Sequence, residues 1–346
     1  MARQWSYWTN NKLLILGDYV NAFNIASKSA KETVYLDLMA GQPENIARHT
    51  GERIDGSPRR VLSADNGFTR HVFCELPDRA EQLEAILRQD FPDKNFRSFP
   101  GDCNRTIDSV LAYLRPFNRA PMFVFIDQQA AEIEWSTIVK VSQFKGPTAR
   151  TKPELWLLVS PTFIARGVRG TNSERFREKV TRFYGTDKWL NIQTARERNI
   201  ITPDQYRDEM TNLIRFRLAQ HLSYRYTQRI PMRMRNRTTI YDMVFATDHY
   251  AGDNIMKSLY AKAAMREPQM MAEAKQLAKI EQEEKTGMLT LFAPPVVKPD
   301  VAGRVLWQPE DYWWPSSREW WTAHSQQKPQ AARARSPIFE DRNIKP

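Results

Sequence analysis

Between residues 33 and 160, five short apolar runs alternate with segments of helical periodicity, and this alternation constrains the fold more than any other feature of the chain. Thr33–Met39, Arg70–Glu75, Phe96–Phe99, Met122–Asp127 and Glu154–Ser160 read as strands. Pro77–Arg88, Thr106–Leu114 and the stretch from Glu134 to Ser142 read as helices, the first with proline near its first turn. An amphipathic helix from Trp5 to Phe23 precedes the first strand, and an Asp-Gly-Ser-Pro turn at 55–58 leads into a short helix. Consecutive strands separated by helices must run parallel, because a parallel partner needs a crossover. The sheet is then covered on both faces.

The pattern changes after residue 161. Residues 162–222 read as mostly helical and strongly basic, an insertion ahead of the last strands. Tyr226–Met234 and Thr239–Thr247 are two long strands joined across only four residues, too few for a crossover, so they form an antiparallel hairpin. A helix from Asn254 to Ala264 completes a domain at 1–265. Residues 267–286 read as a separate charged helical segment. Beyond Pro294 the chain is proline-rich and carries Tyr312-Trp-Trp314 and Trp320-Trp321. We divide it into an extension at 266–322, whose tryptophans pack back on the domain or anchor a partner, and a disordered tail at 323–346.

Charge narrows the function classes. Residues 141–240 hold 20 Lys/Arg against 8 Asp/Glu, which accounts for the whole net charge of +11. A localised basic field suits a polyanion, DNA or RNA with DNA favoured, over a merely solvated surface. With two cysteines, Cys74 and Cys103, a disulfide scaffold and a self-contained metal site are excluded, and both thiols are expected to be buried. No phosphate-binding loop ends in Gly-Lys-Ser/Thr, and the dinucleotide glycine fingerprint is absent. With no apolar run of signal-peptide or membrane-spanning length, the expectation is a soluble cytoplasmic protein with no membrane partner.

Ligands of such sheets bind beyond the carboxyl ends of the strands, where the strand order reverses. Four acidic residues fall there: Asp37, Glu75, Asp102 and Asp127. As an ordered set they match an S-adenosyl-methionine site. Gly41 lets the backbone approach the cofactor and Asp37 meets its ammonium, often through water. Glu75 takes the ribose hydroxyls, Asp102 lies by the adenine, and Asp127 orients the methyl acceptor. The bland alternative is that these are turn and cap carboxylates. Arg166, Arg169, Arg175, Arg177, Lys179 and Arg182 would hold a phosphate backbone, extended by Arg229, Arg233, Arg235 and Arg237, because alternate strand residues share a face. Phe163 and Trp135 are candidate base-stacking platforms, with core packing as the ordinary reading for each.

Tyr35-Leu-Asp-Leu-Met-Ala-Gly41, Asp55-Gly-Ser-Pro58, Gly101-Asp102, Phe123-Val-Phe-Ile-Asp127, Glu134-Trp-Ser-Thr-Ile138, Ile230-Pro-Met-Arg233 and Met243-Val-Phe-Ala-Thr-Asp-His249, leading into Asn254-Ile-Met-Lys257, resemble the three-Cys-motif partner (TcmP) family over about residues 12–265. The resemblance implies an α/β fold with a Rossmann-like class I methyltransferase sheet, mostly parallel, closed by the antiparallel hairpin. It also implies a separate partner carrying a three-cysteine motif, a radical-type iron–sulfur enzyme. Two departures stand out. Gly41 is followed by Gln42-Pro43-Glu44 where relatives continue Gly-Pro-Gly, which brings side chains toward the cofactor's tail. Asp127 is followed by Gln128-Gln129-Ala130 where relatives have Pro-Phe-Gly, so Gln128 would offer its amide to the acceptor without proline rigidity. The expectation is a nucleic-acid-binding partner subunit in nucleic-acid modification or repair, non-catalytic or weakly catalytic, with S-adenosyl-methionine as its cofactor unless the site is degenerate, in which case none is held. An active S-adenosyl-methionine-dependent DNA or RNA base methyltransferase is the alternative.

Overall fold

In a computed structural model, which describes residues 4–47, 51–286, 297–315 and 318, the apolar runs assemble into one seven-stranded sheet. Its strands are β2 (Val34–Asp37), β5 (Arg70–Glu75), β6 (Phe96–Pro100), β7 (Met122–Ile126), β8 (Glu154–Val159), β9 (Tyr226–Arg233) and β10 (Thr239–Thr247). A three-stranded sheet of β1 (Gln4–Trp5), β3 (Glu44–Ala47) and β4 (Arg53–Asp55) lies apart from it. The large sheet has the order β6-β5-β2-β7-β8-β10-β9. Its first five members pair in parallel, and β10 is antiparallel to both β8 and β9. The mixed, mostly parallel α/β sheet with its hairpin is therefore present, compatible with a Rossmann-like architecture.

Strand periodicity divides the core by chemistry. Tyr35, Phe73, Phe123, Phe125, Trp156 and Phe245 face one side with α1 (Tyr7–Ala26), α2 (Ser57–Leu62), α3 (Pro77–Asp90) and α10 (Tyr250–Lys285). Leu36, Val72, Val124, Ile126, Leu157 and Val159 face the other. That side is covered by α4 (Cys103–Leu114), α5 (Trp135–Gln143), α6 (Pro161–Gly167), α7 (Ser173–Tyr184), α8 (Trp189–Glu197) and α9 (Pro203–Gln220). The aromatic face meets its polar tips internally: Trp156 Nε1 donates to Tyr260 Oη at 2.8 Å, and that hydroxyl donates to the Met243 carbonyl at 3.0 Å. The basic segment 162–222 is helical as its periodicity predicts, but it supplies one wall of the core as well as surface. No helix among the described residues is long and apolar enough to cross a membrane.

Both sheet edges are blunted by side chains. On β6, Glu84 accepts the Ser98 N–H at 2.9 Å and Arg88 donates to the Phe96 carbonyl at 2.8 Å. On β9, Pro231 removes a donor, Arg215 donates to Thr227 O at 2.9 Å and Trp307 Nε1 to Arg229 O at 2.9 Å.

Two features depart from the sequence expectation, and a third decides between its two alternatives. The loop after β2 does not pass straight to α2; it first builds the β3–β4 hairpin, whose strands are too short and too polar to show period-two alternation. The segment from 267 is not a separate helix, because α10 runs unbroken through Pro268. Proline removes one helical donor, but Glu267 beside it pairs with Arg233 at 2.9 Å and Met271 and Ala274 are buried beyond it. The extension's described tryptophans pack on the domain. Trp313 exchanges two hydrogen bonds with the Asn212 side chain at 2.8 and 2.9 Å, and Trp314 meets Phe216 edge-on at 4.9 Å. Trp320, Trp321 and the tail at 323–346 lie outside the described residues.

Candidate crevice and basic edge

Parallel strands put their carboxyl ends on one edge, so Asp37, Glu75, Asp102 and Asp127 do share it, and the order reverses between β2 and β7. The side chains there are turned to internal work. Asp37 is wholly buried; it accepts from Met39 N at 3.1 Å, Ser57 Oγ at 2.7 Å and Tyr35 Oη at 3.2 Å. Burial pushes its carboxyl up to about 7, against the opposing pull of the Ser57 hydrogen bond. Glu75 accepts from Gly41 N at 2.6 Å and Leu76 N at 2.9 Å. Asp102 is exposed and caps α4, accepting from Asn104 N at 2.9 Å.

The loop 37–41 is thereby closed on itself, since Ala40 N also donates to Cys74 O at 3.0 Å. Gly41 sits at φ +69°, a conformation that favours glycine. Gly56 lies so close beneath the loop that a Cβ there would stand 2.2 Å from Gln42 O. Glu44 turns to guanidinium groups, Arg53 at 3.4 Å and Arg59 at 3.8 Å.

Asp127 follows β7 directly and pairs with Lys12, a nearly buried lysine of α1 whose ammonium also lies 5.6 Å from the Tyr241 ring centre. Sequence reasoning missed Lys12. Its one signal is a lysine on the apolar side of an amphipathic helix, beside Leu13 and near Ile15 and Leu16. Gln128 is buried and saturated. Its Nε2 donates to Leu158 O at 3.0 Å, and its Oε1 accepts from Glu132 N at 2.9 Å and Ile133 N at 3.1 Å, so the amide shapes the loop after β7. Cys74 and Cys103 are buried thiols, pushed toward the protonated form by burial.

The site read from the sequence needs one carboxylate free for the ammonium of S-adenosyl-methionine, one for its ribose hydroxyls and one for the methyl acceptor. Here Asp127 already holds an ammonium of the chain, Asp37 is sealed under Ser57 and Tyr35, and Glu75 binds the loop itself. The residues present do not make the cofactor site that the sequence pattern implies.

The basic residues sort by partner. Arg177 pairs with Glu197 at 3.4 Å, Arg182 with Glu134 at 3.1 Å, Arg229 with Asp208 and Glu310 at 2.8 Å each, and Arg233 with Glu267 at 2.9 Å. Arg229 and Arg233 are thus internal ties, because α9, α10 and the extension bring carboxylates over β9. Arg166, Arg169, Arg175, Lys179, Arg235 and Arg237 are exposed and carry no ion pair among the described residues. Two hydrogen bonds join the stretches of chain that bear them: Ser160 Oγ donates to Ile240 O and Thr162 Oγ1 to Thr239 O, both at 2.9 Å. They fasten the start of α6 to the β10 end of the hairpin, so Arg166 and Arg169 and the turn residues Arg235 and Arg237 come from neighbouring elements. Trp135 is core, 8% exposed, whereas Phe163 is 37% exposed.

No family model matches the chain, and no curated protein is detectably similar to it. Among solved structures it is similar to a Legionella pneumophila protein of family DUF519, with 12% identity and a TM-score of 0.39, over 73% of this chain and 90% of that one.

Proposed function

We propose that this chain is a nucleic-acid-binding accessory subunit built on a methyltransferase-like scaffold, in which the cofactor crevice has been given over to internal hydrogen bonds. The observation that carries this reading is the contrast along the carboxyl edge of the parallel strands. Lys12 occupies Asp127, while Arg166, Arg169, Arg235 and Arg237 are exposed and without an ion pair among the described residues. The closing hairpin, with β10 set antiparallel between β8 and β9, supports the scaffold assignment. The resemblance to three-Cys-motif partner proteins adds a radical-type iron–sulfur enzyme as the protein it serves, in nucleic-acid modification or repair. An active methyltransferase is the alternative, favoured by the four carboxylates sharing one sheet edge.

Two titrations test the proposal. Labelled DNA and RNA oligonucleotides are expected to bind, with affinity falling at least tenfold between about 50 and 200 mM salt as phosphate contacts release counterions. Substituting Arg166, Arg169, Arg235 and Arg237 by Glu is expected to abolish that binding. Calorimetry with S-adenosyl-methionine and S-adenosyl-homocysteine is expected to give no heat. Micromolar binding that Glu75→Ala removes would transfer the assignment to the active enzyme, and absence of oligonucleotide binding at low salt would refute the accessory role.

A further inference from the structure

We infer that the exposed Phe163 ring is a stacking platform that makes this surface select unpaired over duplex nucleic acid; the inference rests on the nucleic-acid reading above and specifies its ligand. Helix α6 divides its residues by face. Pro161, Ile164 and Val168 are buried and do the packing. Phe163 and Arg166, three residues apart, share the outer face, where the Arg166 guanidinium carbon lies 5.7 Å from the ring centre. The ring lies outside the core clusters, yet the helix that carries it is held in place. The two hydrogen bonds from Ser160 and Thr162 fix the first turn of α6 to β10. At the other end, Gly167 packs so tightly on the Phe176 ring that a Cβ would lie 2.3 Å from it.

The occupant follows from charge and shape. Adjoining stretches of chain supply Arg166 on α6, Arg169 just beyond it, and Arg235 and Arg237 on the hairpin turn next to which α6 is bonded. That turn is itself fixed, with Met234 N donating to Thr238 O at 2.9 Å and Arg237 N to Met234 O at 2.8 Å. A partly exposed aromatic face with the Arg166 guanidinium beside it, and further basic residues on adjoining chain, offers a base its π-surface and the flanking phosphates their counter-charges. A base paired within a duplex stays stacked between its neighbours and cannot reach a ring that lies on the protein surface. Phosphate contacts alone would favour the duplex, whose charge density is higher; the ring is what turns the preference to the single strand.

Fluorescence anisotropy with single-stranded and duplex oligonucleotides of equal length, each in DNA and RNA form, tests the inference on the full chain. Wild type is expected to bind the single strand more tightly. Phe163→Ala is expected to weaken that binding about 5- to 150-fold, the range for loss of one base–aromatic stack, and to leave duplex binding unchanged. Phe163→Leu, which keeps bulk without a π-face, is expected to behave like the alanine variant. The side chain is 37% exposed and outside the core clusters, so both variants should lose little stability, and binding is compared where each is folded. Equal binding of single strand and duplex, or a Phe163→Leu variant indistinguishable from wild type, would overturn the inference and leave the accessory role standing. Binding of neither form would remove both. The DNA and RNA arms identify which polymer supplies the base.

Discussion

His71 offers a test of the core that can be worked through in numbers. The imidazole is 1% exposed, lies among Tyr35, Phe68 and Phe73, and stacks on Phe73 at 6.3 Å with planes 18° apart. Burial among these rings pushes it down to about 4 from its ordinary 6.5. Between those values the unfolded chain takes up a proton that the folded chain refuses. Its contribution is therefore complete above pH 6.5 and is lost as the pH falls toward 4. A gap of about 2.5 pH units at about 1.4 kcal/mol each makes that loss about 3 kcal/mol. Asp37 acts in the opposite sense, since its raised carboxyl favours the fold below pH 3.8 and loses that contribution as the pH rises toward 7. The wild-type curve mixes the two, so the informative quantity is the difference between wild type and His71→Phe. The substitution keeps an aromatic ring in the stack. Asn95 O loses the imidazole contact at 3.2 Å but keeps the His71 backbone N–H at 3.0 Å, so the variant should match wild type within about 1 kcal/mol at pH 7. Urea unfolding followed by tryptophan fluorescence from pH 7.5 to 4.5 should show the variant gaining on wild type as the pH falls. Parallel curves would refute the assignment of a neutral buried imidazole.

Asp127→Asn should cost about 3 kcal/mol in the same assay, because it leaves the Lys12 ammonium buried and unpaired. Lys12→Met should cost only about 1 kcal/mol, since Asp127 retains access to water; equal costs would contradict the asymmetry in burial. Gly56→Ala should destabilise by about 1–3 kcal/mol, read as a lower urea midpoint, because its Cβ meets a backbone oxygen that cannot swing away. Asn212→Ala removes both side-chain bonds to Trp313 and should make the extension sensitive to limited proteolysis before the sheet domain is cut. Proteolysis at the wild-type rate would show that the other tryptophan contacts suffice. Asp37→Asn should gain stability relative to wild type as the pH rises from 4 to 8, because it removes a carboxyl that must ionise while buried.

What the sequence determined by itself was the sheet. Strand and helix periods are local, so β5 and β10 coincide with their predicted limits, and each of the other predicted strands ends within two residues of its limit. Short connections then dictate pairing: four residues between Thr239 and the preceding run admit only a hairpin. The shared edge of Asp37, Glu75, Asp102 and Asp127 followed from parallel strands alone. What those carboxylates do was decided by the tertiary structure. Lys12 and Asp127 stand 115 residues apart, and no periodicity announces that they meet. Arg229 and Arg235 look alike in sequence, yet Asp208 and Glu310 reach one and leave the other in solvent. Phe163 and Trp135 likewise read as equivalent aromatics, but Trp135 is buried against Gly185 while Phe163 is partly exposed. A residue's type sets the interactions it can make, and the long-range packing of helices on the sheet decides which groups are close enough for those interactions to form.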